Sequence, residues 1–138
     1  MLMLAETALL CLTTAVYYEA RSEPLQGQVA VAQVIMTRVE SDEYPDTVCE
    51  VVQQGGDSQR HRCQFSYYCD GKDEVMRDLR AKDRAERVAE SVLYGGVRDA
   101  DLLGVTHYHA DYASPSWVSH INMKYVNQRG RHLFYTEI

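Results

Sequence analysis

The sequence predicts an α+β fold, predominantly helical, with a small β-sheet. Apolar residues recur at three- and four-residue steps through most of the first 94 positions, whereas extended, aromatic-rich segments fall only in the last third. With 138 residues and 46% hydrophobic composition, one domain over residues 1–138 has enough apolar material to build its own core.

From Glu6 to Arg21, the positions Leu9, Leu12, Ala15 and Val16 share one helical face. Continuing that stripe by three from Val16, or by four from Ala15, reaches Glu19, so a carboxylate extends an apolar face where the helix ends. Pro24 disfavours helical geometry at Glu23 and predicts a turn over 22–27. Val29, Ala32, Met36 and Val39 predict a second helix over 28–40, although the Val-rich run from Val29 to Ile35 also carries strand propensity. After a loop at 42–45, Asp46 or Thr47 can cap a short helix through Val48, Val51 and Val52. Gly55-Gly56-Asp57-Ser58 then opens a long irregular stretch that carries Cys63 to Gly71. Residues 73–94 predict a charged helix whose inward side is Met76, Leu79, Val88, Ala89, Val92 and Leu93, ended by Gly95-Gly96. Segments 106–112 and 125–135 read as extended, the second as a hairpin turning at Arg129-Gly130.

Fourteen Lys and Arg against 20 Asp and Glu give a net charge of −6, so no broad basic field exists for nucleic acid or anionic lipid. No run approaches the roughly 18 uninterrupted apolar residues of a membrane span. The start, Met1 to Glu6, lacks the basic region of a signal peptide, and none is expected. Cys11, Cys49, Cys63 and Cys69 permit three pairings if all are oxidised. Cys63 and Cys69 could close a small loop, while Cys11, set in an apolar helix, is expected as a buried free thiol. No CxxC pair points to a zinc site.

Glu19 is the sharpest chemical feature. Partial burial beside apolar groups keeps a Glu protonated toward neutral pH, which a glycosidase acid requires. The competing reading is an ion pair with Arg21 or Arg38, and spacing alone favours it. Glu23 could supply a second carboxylate. His107 and His109, two apart on a strand, would share a face and could bind zinc with His120 or an Asp, as in a metal-dependent amidase; yet no HExxH element is present and Tyr108 would face away. Aromatic residues including Tyr18, Phe65, Tyr108 and Trp117, with Gln64 and Ser66 as hydrogen-bonding groups, favour a carbohydrate groove over a phosphate pocket.

Three blocks resemble the SleB and CwlJ-like cell-wall hydrolases. The first is Tyr17-Tyr18-Glu19-Ala20-Arg21-Ser22-Glu23-Pro24 with Gly27 to Val34 and Arg38-Val39. The second is Cys63-Gln64-Phe65-Ser66 through Cys69-Asp70-Gly71, and the third is Thr106-His107-Tyr108-His109-Ala110 followed by Pro115 and Trp117. Ser22 departs from the pattern, since the family usually has Gly there.

The resemblance implies a lysozyme-like domain similar to lytic transglycosylases, acting on peptidoglycan in the bacterial wall. It places Glu19 as the acid that protonates the oxygen between N-acetylmuramic acid and N-acetylglucosamine, followed by attack of the muramic C6 hydroxyl or of water. Glu23 is an optional second catalytic residue. Tyr18, Gln64, Phe65, Ser66, Tyr108 and Trp117 are expected to bind substrate, without metal or other cofactor, in a monomer. Without a leader, the protein would be made in the cytoplasm and released by phage lysis, or a leader has been trimmed away. The rival functions are a zinc-dependent amidase and a non-catalytic peptidoglycan-binding module.

Overall fold

The computed structural model describes residues 7–55 and 63–138. The readings made on Met1 to Glu6 and on Gly56 to Ser58 lie outside those residues. Helix α1 (Ala8–Ala20) is capped by Thr7, whose hydroxyl accepts from the Leu10 N–H. Helix α2 (Leu25–Val39) follows after a short turn, and α3 (Val48–Val52) is capped by Thr47. Helix α4 (Leu79–Leu93) completes the helical part. Strands β1 (His107–Ala110), β2 (Met123–Arg129) and β3 (His132–Glu137) form an antiparallel sheet of order β1-β3-β2, with an irregularity between Tyr125 and Asn127.

Helix α2 explains why a Val-rich run can be helical. Every residue from Ala30 to Met36 is buried, because α1, α3 and α4 all pack around it. A helix enclosed on all sides shows little amphipathic period. Its two buried amides are anchored to backbone: Gln33 both donates to the Asp99 carbonyl (3.0 Å) and accepts from the Asp99 N–H (2.6 Å), and Gln28 donates to the Glu23 carbonyl (3.0 Å). These bonds fix α2 against the segment before the sheet and against the turn after α1.

Three expectations are corrected. The turn after α1 is shorter than 22–27, since Pro24 takes the N-cap position and its carbonyl accepts from the N–H groups of Gly27 and Gln28, leaving Leu25 already helical. Residues 73–78 are not helical: Asp73 bonds the Val75 N–H and the Arg77 guanidinium, and Asp78 caps α4 by accepting from Ala81. Leu79, at the first helical position, is 72% exposed, and the inward face is Ala81, Ala85, Val88, Ala89 and Val92. Cys11 is not a free thiol. It is disulfide-bonded to Cys49, tying α1 to α3, while Cys63 and Cys69 close the small loop. Among the described residues no helix is long and apolar enough to cross a membrane.

Candidate active site

Helix α1 delivers Glu19, partly buried, to the edge of the sheet. There the Tyr108 hydroxyl, on β1, donates to Glu19 Oε1 at 2.9 Å. No hydrogen bond from the described residues reaches Oε2, which is left to carry a proton. Burial pushes the Glu19 carboxyl above its ordinary value, opposed by the Tyr108 hydrogen bond and the charge of Arg38. Tyr108 is raised well above the usual tyrosine range, by burial first and by Glu19 second, so its hydroxyl stays a donor. Its ring is wedged against His132 and Phe134 of β3, which fixes the direction of the hydroxyl.

Two small cavities meet at this carboxyl. One, of about 110 Å³, is lined by Glu19, Arg38, Gln64, Phe65, His107, Tyr108 and Trp117. The other, of about 120 Å³, is lined by Glu19, Ser22, Glu23, Ala110, Tyr112, Arg131 and His132. Glu19 is the residue they share, so its carboxyl stands between two compartments. Larger hollows beside Cys11 and Met76 (about 290 Å³) and beside Leu25 and Arg129 (about 460 Å³) contain neither Glu19 nor Tyr108.

The first cavity's walls are built from distant elements. The Cys63–Cys69 bridge holds Gln64 and Phe65 in place, with Phe65 only 2% exposed. Trp117 lies on a short 3-10 turn (Ser116–Ser119) and packs on His107 and His109, at 5.1 and 5.6 Å between ring centroids. The two histidines thus share a side of β1 while Tyr108 faces Glu19, as the alternation requires. His109 has both ring nitrogens engaged, Nδ1 with the Ala110 carbonyl (2.7 Å) and Nε2 with the Tyr135 hydroxyl (2.9 Å). Among the described residues no three His, Cys, Asp or Glu side chains converge as a metal site.

Of the residues singled out from sequence, Glu19, Gln64, Phe65, Tyr108 and Trp117 come together. Glu23 lines the second cavity but is already committed: Oε1 accepts from the Arg131 N–H at 2.9 Å and lies 3.3 Å from His132 Nδ1. It clamps the turn after α1 to the β2–β3 hairpin. Tyr18 and Ser66 line neither cavity. The Tyr18 hydroxyl donates to the Val75 carbonyl and its ring stacks on Tyr67, while Ser66 is exposed at the start of a 3-10 turn. Arg21 lies over the Tyr17 ring.

Sequence reasoning missed Arg131 and His132 as cavity walls; it saw His107 only as a possible zinc ligand and Arg38 only as a rival ion-pair partner. A signal existed for Arg38. It continues the apolar stripe Val31, Val34 and Ile35 on α2 just as Glu19 continues that of α1.

Known proteins align with this arrangement along most of the chain. The catalytic domain of the germination-specific lytic transglycosylase SleB from Bacillus anthracis is 27% identical, with a TM-score of 0.66 over 95% of both chains. The SleB catalytic domain of Bacillus cereus is likewise 27% identical, with a TM-score of 0.63 over 92% of this chain and 88% of that one. Both are mainly helical with the same small-sheet architecture. The spore cortex-lytic enzyme of Oceanobacillus iheyensis is 31% identical over 123 residues, which are 89% of this chain and 39% of that protein. Its counterpart in Halalkalibacterium halodurans is 31% identical over 120 residues, 87% of this chain and 32% of that protein. The chain therefore spans well under half the length of these relatives. Residues 22–135 match the model of the Cell Wall Hydrolase family, starting just after Glu19. With that match running over most of its length, and with the fold shared, the chain belongs to the cell wall hydrolase family.

Proposed function

We propose that this protein cleaves the glycan strands of peptidoglycan between N-acetylmuramic acid and N-acetylglucosamine, with Glu19 as the acid. One observation carries the reading: a partly buried carboxyl, held by Tyr108 through one oxygen and free at the other, stands where two cavities meet. Glu19 protonates the glycosidic oxygen as its bond to the muramic C1 breaks. The resulting carboxylate then takes the proton of the incoming hydroxyl, so the residue returns to its starting state. Phe65, Trp117 and His107 offer ring faces to sugar, and Gln64 offers an amide to hydroxyl or acetamido groups.

Between the two outcomes, lytic transglycosylation is favoured over hydrolysis. A single carboxyl suffices when the muramic C6 hydroxyl attacks internally, and the second nearby carboxylate, Glu23, is tied to the hairpin. Two disulfides suit an oxidising space outside the cytoplasm, where a wall is reached. Mass spectrometry of soluble products from purified sacculi tests the reading. Anhydro-muramic ends are expected; reducing muramic ends would move it to a muramidase, and free stem peptides with intact glycan would overturn it.

A further inference from the structure

Arg38 has a property that packing alone does not explain. It is 5% exposed, its Nε donates to the Thr106 carbonyl at 2.9 Å, and its guanidinium lies 4.9 Å from the Tyr44 ring centre and 5.7 Å from that of Phe65. Its Nη1 is buried without a hydrogen-bond partner. A buried cation with an unused donor costs free energy unless something else uses its charge. Arg38 lines the same cavity as Glu19.

We propose that Arg38 is a positioning residue for the reaction, a fixed positive charge that stabilises Glu19 as a carboxylate in the interval between giving its proton to the leaving oxygen and taking one from the attacking hydroxyl. This rests on the glycosidase reading above. In that interval Glu19 becomes an anion in a partly buried place, and Tyr108 supplies only one hydrogen bond to it. Arg38 supplies charge from α2, on the wall toward Gln64 and Phe65. The titratable groups that line the two cavities with this carboxyl are Tyr108 and His107 from β1, Arg38 from α2, and, across the second cavity, Glu23 from the turn, Tyr112 after β1, and Arg131 and His132 from the hairpin. Glu23 accepts from the Arg131 N–H and the Arg131 guanidinium is bonded to Asp111, while His132, held below the usual histidine range by burial, adds no charge at neutral pH. His107 is held below the usual histidine range, by burial first and by Arg38 next, and stays neutral at neutral pH. That leaves Arg38, on which Tyr44, Tyr108, Glu137 and Glu19 all act, as the permanent cation among the described residues of its cavity. The same charge opposes the effect of burial on Glu19 and draws its carboxyl back toward the ordinary value.

The test is the pH profile of turnover on purified sacculi for the parent protein, Arg38→Gln and Arg38→Lys. The alkaline limb, which reports loss of the Glu19 proton, is expected to move up by about one pH unit in Arg38→Gln, and turnover at the optimum to fall roughly 10- to 100-fold. Arg38→Lys, which keeps the charge, should displace the limb less. A folded Arg38→Gln protein with the parental limb overturns the inference. Should Arg38→Gln not fold at neutral pH, folding is measured near pH 4 and in a Glu19→Gln background. Rescue by either supports the coupling of the two charges, and rescue by neither overturns it. If Glu19→Gln itself remains active the glycosidase reading fails; if it is inactive while Arg38→Gln keeps the parental profile, only this inference fails.

Discussion

Tyr108 and Glu19, 89 residues apart in the chain, are joined by one hydrogen bond of 2.9 Å from the phenol to Oε1. That bond selects which carboxyl oxygen faces the cavities. Tyr108→Phe keeps the ring packed on His132 and Phe134 but removes the donor, so a protein with little lost stability and turnover lower by roughly 10- to 100-fold is expected. Because the bond lowers the Glu19 pKa, the alkaline limb of the variant should move upward. Turbidity clearance of sacculi across pH measures both effects.

Glu19→Gln removes the proton donor and should reduce turnover by about 10² to 10⁴ fold. Its stability carries a sign that can be checked. The folded chain holds the Glu19 proton more tightly than the unfolded chain, so the parent loses stability as pH rises from the ordinary value of 4.5 toward the raised folded value. Gln has no such loss. Thermal unfolding should show the two proteins alike at acid pH, with the variant gaining relative to the parent as pH rises through that window.

For Glu23 the expected effect is mechanical. Glu23→Ala deprives the Arg131 N–H of its acceptor and should cost roughly 1–3 kcal/mol in chemical denaturation. Glu23→Gln retains an oxygen that can accept this bond, and it should restore most of the stability and keep activity within about 10-fold of the parent. A loss in Glu23→Gln as large as that in Glu19→Gln would assign Glu23 to the chemistry.

Chelation should leave turnover unchanged. His109 has no ring nitrogen to spare, and no third donor joins it and His107 among the described residues. Inactivation by excess EDTA with recovery on adding zinc would contradict the metal-free reading.

The two disulfides should separate stability from activity. Cys11 and Cys49 are 38 positions apart, and replacing both by Ala should cost about 3–4 kcal/mol on a chain-entropy view. Cys63 and Cys69 are six apart, but they hold Gln64 and Phe65 in the cavity wall. Replacing that pair should raise KM with a smaller change in unfolding midpoint.

Local pattern made the helices legible. Thr47 as cap and the apolar steps in α1 were readable because each depends on residues a few positions apart. Residues 73–78 were misread because Asp73 and Asp78 compete for the backbone with their own side chains, which hydrophobic spacing does not register. Glu19 was visible as a carboxylate on an apolar stripe, but its partner Tyr108 was not fixed until β1 docked beside α1. Tyr18 looked like a sugar platform by type alone; its bond to Val75 depends on a fold that no local pattern encodes. The Cys11–Cys49 pairing was hidden for the same reason, since a cysteine in an apolar helix looks alike whether reduced or bridged.

Gly130 sits in the hairpin turn at φ +55°, and a Cβ there would stand 2.9 Å from both Glu23 Oε2 and Pro24 Cδ. The hairpin can therefore rest directly on the turn that follows α1. Any side chain would push the two apart like a shim, and the compartment lined by Tyr112, Arg131 and His132 would widen with them. The gauge of the groove on that side is set by a single hydrogen atom, at a position where the other amino acids carry carbon.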